Sequence, residues 1–150
     1  MKRREERKHT LCLVFGLSFE IGFFDMLETS KYEQAMQLYL ETNELSAPNR
    51  SKQYILNNYE GVATHIDAID DIITKNLKGW TLPRLNKVDI AILRLSVYEL
   101  MFAETPTPGK VIANEAVELA KELSSDEAPA FINGILAGLI TTNKEETQTT

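Results

Sequence analysis

Apolar residues along this chain recur at intervals of three and four, the spacing of a helix face, and no stretch alternates in the manner of a half-buried strand. The densest run is LNKVDIAILRLSVYELMF, residues 85–102. Val88, Ala91, Ile92, Leu95, Tyr98 and Phe102 fall at helical spacing, while Ile90, Leu93, Val97, Leu100 and Met101 fill most of the remaining circumference. A helix apolar nearly all round belongs in the middle of a bundle. Asn86 is a good N-cap type with Asp89 three residues on, and both suit the positive end of a helix dipole, so this central helix is predicted to start at Asn86.

The same periodicity predicts a first helix over 5–24, with Leu11, Val14, Phe15, Ser18 and Ile21 along one side, and a second over 32–42, with Ala35, Leu38 and Tyr39. Beyond a loop containing Pro48, a long third helix is expected over 50–77 through Tyr54, Ile55, Asn58, Val62, Ile66, Ile69 and Ile73, with Gly61 either bending it or admitting a close neighbour. Residues 78–83 connect to the central helix. Trp80 in that connector reads as a core plug, because its large apolar area is costly to leave in water. ETPTPG, 104–109, is a turn that Pro106 and Pro108 prevent from being helix.

A fifth helix over 110–123 places Ile112, Ala116, Leu119, Ala120 and Leu123 on one face and Glu115, Glu118, Lys121 and Glu122 on the other. Ser124 with Glu127 makes a capping box and Pro129 suits a first turn, so a sixth helix follows to about residue 140 with Phe131, Ile132, Ile135, Leu136 and Leu139 inward. The expected fold is all-α: a compact bundle of six to seven helices in two packed halves, 1–79 and 80–140, forming one domain over 1–140. A polar, disordered tail over 141–150 follows.

A length of 150 residues with 43% hydrophobic and 25% charged content is that of one globular domain. The single cysteine, Cys12, excludes an intrachain disulfide and any multi-cysteine zinc site; lying in an apolar run, it reads as an inert buried thiol of a reducing cytoplasm. The net charge of -6 hides an asymmetry: residues 2–8 hold five basic groups against Glu5 and Glu6, +3, and the remainder carries -9. A basic start followed by LCLVFGLSF imitates a secretion signal, but Glu5, Glu6, Glu20 and the lack of a small-x-small cleavage site argue against one. No segment is long and apolar enough to span a bilayer.

Little in the sequence points to catalysis. It contains no Gly-rich phosphate loop, GxSxG or HExxH, and only two histidines, so no nucleophile, base and oxyanion donors can be named; a binding protein is the better class. His65, Asp67, Asp70 and Asp71 suggest a metal set at first sight, but His65 projects away from the Asp67 and Asp71 pair, and a solvated acidic face is the preferred reading. On a helix extended back to Lys2, Arg3, Arg4, Arg7 and Lys8 fall within an arc of about 140°. That face is either a solvated terminus or a phosphate-binding arm, and spacing alone favours the first.

VDIAILRLSVYEL at 88–100, KVIANEAVELAKEL at 110–123 and SSDEAPAFINGIL at 124–136 together resemble the signature of the NusB family of transcription antitermination factors. MKRREERKHTLCLVF at 1–15 is similar to that family's Arg-rich start, and the resemblance is weaker over 25–78. It implies a NusB-like, non-enzymatic RNA-binding protein with no cofactor. Such a protein pairs with the ribosomal protein NusE, binds boxA-type single-stranded RNA of ribosomal RNA transcripts, and helps an RNA polymerase antitermination complex resist termination in the cytoplasm, away from any membrane.

The resemblance maps the family's Arg-rich arm onto Arg3, Arg4 and Arg7, flanked by Lys2 and Lys8, and its RNA-side positions onto Phe15, Glu127 and Phe131; this raises the phosphate-arm reading above its rival. Asp89 falls on the side that faces NusE. Three departures stand out: Glu127 is one methylene longer than the usual aspartate, Ala130 replaces a commonly basic residue, and IANEA stands where INEA after a small residue is typical. A helical adaptor or dimeric scaffold without an RNA role is the alternative, kept alive by the acidic body, and a homodimer stays open. A related domain occurs fused to ribosomal RNA cytosine-5 methyltransferases, but a chain ending at Thr150 with no α/β cofactor domain argues against that enzyme.

Overall fold

The computed structural model describes residues 1–19 and 31–148, and among these it forms seven α-helices and no strand. They are α1 (Arg3–Leu17), α2 (Lys31–Thr42), α3 (Asn49–Thr64), α4 (Ile66–Lys75), α5 (Lys87–Met101), α6 (Gly109–Leu123) and α7 (Ala128–Gln148), with a single 3-10 turn at Leu82–Arg84. None is long and apolar enough to cross a membrane, among the described residues.

Helix α5 is the axis. The Asn86 side chain accepts the Val88 N–H at 2.8 Å, satisfying one of the free donors of the first turn. Ala91, Ile92, Leu93 and Val97 are fully buried, and α1, α3, α4, α6 and α7 all pack on it. Its all-round apolar surface is thus matched by neighbours on every side. Burying each large aliphatic side chain contributes roughly 1.5 to 3 kcal/mol, so this helix supplies a large share of the core.

Several expectations are corrected. The long third helix is two: His65, at φ -103° and ψ 16°, leaves the helical region, so α3 can bury Ile55 and Val62 while α4 turns Ile69 and Ile73 onto α5. Gly61 lies before that break and serves close packing, since a Cβ there would sit 2.2 Å from Tyr98 Cζ. The first helix ends at Leu17, with Ser18 and Phe19 in a turn; the expected continuation through Ile21 lies outside the described residues. In α2 the buried positions are Met36 and Leu40, and Leu38 is 65% exposed. In α6 Ala113 joins the buried face while Leu123 is partly exposed, at 38%.

Trp80 is no plug: it is 58% exposed in the connector. Cys12 is exposed as well, because the inward side of α1 is taken by Thr10, Leu11, Leu13, Val14 and Leu17. Ser124 does not cap α7. It ends α6, its N–H donating to the Ala120 carbonyl, and its hydroxyl donates to Asp89 at 2.6 Å. The polar segment after residue 140 is helical through Gln148, α7 continuing past the buried Leu139. Asp70 is not a solvated carboxylate: it takes Arg94 through two bonds of 2.8 Å, and Arg94 also donates to Ser18 Oγ at 3.3 Å.

Candidate nucleic-acid interface

The first helix divides its basic residues between two faces. At about 100° per residue, Arg4, Lys8, Cys12 and Phe15 fall within an arc of roughly 80°, while Arg3 and Arg7 lie on the side turned toward α3 and α5. The second pair is anchored. Arg7 Nε donates to both oxygens of Glu99 at 3.2 and 3.3 Å, and the two side chains are only 8% and 7% exposed. Tyr54 from α3 donates its hydroxyl to the same carboxylate at 2.6 Å. Burial and that carboxylate together push the Tyr54 phenol well above its ordinary range, keeping it a donor. Arg3 lies 3.9 Å from the centroid of the Tyr54 ring, a cation–π contact, with Glu6 3.7 Å away.

The stripe of Arg4 and Lys8 meets α6. Arg4 Nε and Nη2 each donate to one oxygen of Glu115 at 3.0 Å, and Lys8 Nζ donates to Glu122. These contacts raise the pKa of Arg4 and of Lys8 and hold the Glu115 carboxyl below the usual range. Between the helices is a cleft of about 250 Å³ lined by Arg4, Lys8, Glu115, Glu118, Lys121 and Glu122. The basic segment is therefore neither a frayed terminus nor a free arm, but one wall of a packed, charge-matched surface. Lys2 precedes the helix and is exposed.

Aromatic residues extend the stripe. Phe15 is half-buried and meets Phe19 edge-on at 5.1 Å, and Phe19, about half exposed, carries the Lys87 amine 5.1 Å from its ring centroid. Phe131, in the first turn of α7, is half-buried against the core, and Glu127 just before that helix is exposed. Arg4 and Lys8 meet α6 from one helix, and α7, which carries Phe131, packs on α6 as well. Asp89 is buried, its carboxylate accepting from Ser124, so in this conformation it braces the start of α5 against the α6–α7 junction. On the opposite flank of α1 a polar groove of about 690 Å³ is lined by Arg3, Arg7, Tyr54, His65, Tyr98 and Glu99 among others.

Sequence reasoning missed Glu99, Tyr54, Glu115 and Glu122, the partners that define what each cation does. Three of them lie 92 to 114 residues from their cation, beyond any local pattern. One signal was present: a carboxylate at Glu99 inside a helix apolar all round has to find a cation or a donor.

Comparison with known proteins gives a consistent result. The sequence profile described as the NusB family matches residues 6–141. The transcription antitermination protein NusB of Clostridium novyi is 36% identical over 140 residues, 93% of this chain and 98% of the relative. That of Agathobacter rectalis is 42% identical over 125 residues, 83% and 91% of the two chains. Of solved structures, NusB of T. maritima superposes with a TM-score of 0.77 at 29% identity, over 94% of this chain and 92% of that one. A chain from the crystal structure of the antitermination factors NusB and NusE in complex with dsRNA shares the fold at a TM-score of 0.70 and 24% identity, over 95% and 99%.

Proposed function

Since this chain belongs to the NusB family, we propose that it is an RNA-binding transcription antitermination factor, one that binds boxA-type RNA of ribosomal RNA transcripts together with NusE. The observation that carries the reading is the exposed stripe of α1, where the cations Arg4 and Lys8 lead to the aromatic side chains of Phe15 and Phe19. Single-stranded RNA is held by this combination: cations along the backbone fix position and flat rings accept unstacked bases. Lys2 extends the cationic end, and Phe131 offers a further ring at the start of α7. Arg7 belongs to the scaffold, because its guanidinium is spent on Glu99. No step of this reading requires bond chemistry, and the protein acts by binding.

In this reading the NusE face lies around the start of α5. The exposed Lys87 and Trp80 offer a mixed cationic and aromatic surface there, with Asp89 bracing the helix start from beneath. The acidic remainder of the chain opposes RNA, so the protein alone binds weakly and the partner increases affinity. Labelled boxA-like RNA is titrated with and without NusE, and against a scrambled sequence. Unchanged affinity on adding NusE, with no preference over the scrambled RNA, would leave the adaptor reading ahead.

A further inference from the structure

We propose that Glu115 and Glu122 of α6 act as internal stand-ins for RNA phosphates, and that their hold on Arg4 and Lys8 sets the affinity and selectivity of the interface. The inference rests on the RNA-binding reading and goes beyond it, because it assigns a role to carboxylates rather than to cations. A guanidinium binds a phosphate through two parallel N–H groups, the same fork it offers to a carboxylate. In Arg4 that fork, Nε and Nη2, is engaged by both oxygens of Glu115 at 3.0 Å. Lys8, one turn further on, is held by Glu122 in the same cleft, and Lys121, the third cation there, is held by Glu118 at 3.3 Å.

An incoming phosphate therefore meets no unoccupied cation in this cleft; it must displace a carboxylate already in place. Exchange of one anion for another on the same fork gains little net energy. An RNA that offers only phosphates is poorly rewarded, while one that also stacks on Phe15 and Phe19 recovers the difference. Exchange is feasible because the Arg4 side chain is 66% exposed and Glu115, at 18%, is not fully enclosed. The arrangement differs from the Arg7–Glu99 pair, whose burial forbids any exchange.

The test removes carboxylates, not cations. Glu115→Gln and Glu122→Gln keep side-chain shape, and each is expected to tighten binding of both boxA-like and scrambled single-stranded RNA by about 2- to 5-fold at low salt, with the gain fading as salt rises. The ratio between the two RNAs should fall in the double variant. Glu41→Gln, which removes the same charge from the exposed face of α2, should change affinity less than either, separating local release from net charge. Arg4→Gln should cost more in the Glu115→Gln background than in the native chain, since only there is the fork free. Binding by the Gln variants equal to or weaker than native binding overturns the exchange mechanism and leaves the RNA-binding reading intact. No binding by the native chain or by the double variant, with or without NusE, overturns both.

Discussion

Replacing Glu99 by Gln is expected to be among the most damaging conservative changes available to this protein. The Glu99 carboxylate receives Arg7 Nε on both oxygens and the Tyr54 hydroxyl at 2.6 Å, and neither charged side chain is more than 8% exposed. A Gln side chain keeps the volume but removes the negative charge and replaces one accepting oxygen by an N–H₂ beside Arg7, which only donates. Arg7 cannot shed its proton and is left as an uncompensated buried cation, a situation that typically costs about 3 to 5 kcal/mol. Set against a total stability of roughly 5 to 15 kcal/mol for a domain, that is a large fraction. The double replacement Arg7→Met with Glu99→Leu removes both charges and should recover most of the loss. It should stay about 1 kcal/mol below native, because Tyr54 has lost its acceptor. Urea unfolding followed by far-ultraviolet circular dichroism measures all three chains. A Glu99→Gln variant within about 0.5 kcal/mol of native would mean that water reaches the guanidinium and that Arg7 is available to RNA after all.

Gly61→Ala should destabilise despite the gain of about 1 kcal/mol in helix propensity, because the new Cβ would meet the Tyr98 ring at 2.2 Å; Tyr98→Leu in the same chain should restore much of the loss in a urea melt. Leu95→Ala, in the enclosed central helix, should lose about 2 to 5 kcal/mol, whereas Glu118→Ala on the outer face of α6 should shift the same melt by about 0.5 kcal/mol or less. His9, whose Nδ1 is 2.8 Å from Tyr39 Oη, has its pKa lowered below 6.5 chiefly by burial, so the native state binds its proton less readily than the unfolded chain. Its contribution is fully present above pH 6.5 and is lost as pH falls from there through the lower native value; His9→Gln should flatten that part of a stability profile.

The helices were legible because apolar spacing records which side of each is enclosed, and α5 was legible most of all, since every side of it is. Failures fell where a neighbour distant in sequence decides the outcome. Trp80 reads as buried from its chemistry, yet no helix among the described residues encloses it. Residues 50–77 read as one helix because both pieces carry an apolar stripe, and the break at His65 comes from the need to cover different parts of α1 and α5. Ser124 has the local form of a cap, but Asp89 competes for its hydroxyl and wins. The basic segment was visible as charge and, through resemblance, as a candidate interface. Its division into an anchored pair and a stripe engaged by α6 was not, because the carboxylates that make that division lie on helices five and six.

The exposed position of Trp80 has a consequence for how this protein can be observed. It is the only tryptophan in the chain, so the intrinsic emission excited at the red edge of the absorption band comes from one indole in a surface connector. An indole already in contact with water changes little in wavelength when the chain unfolds, and a fluorescence melt would register the core faintly. The same indole is an unlabelled reporter for whatever covers that connector: an arriving protein surface would shift its emission to the blue and shield it from a soluble quencher.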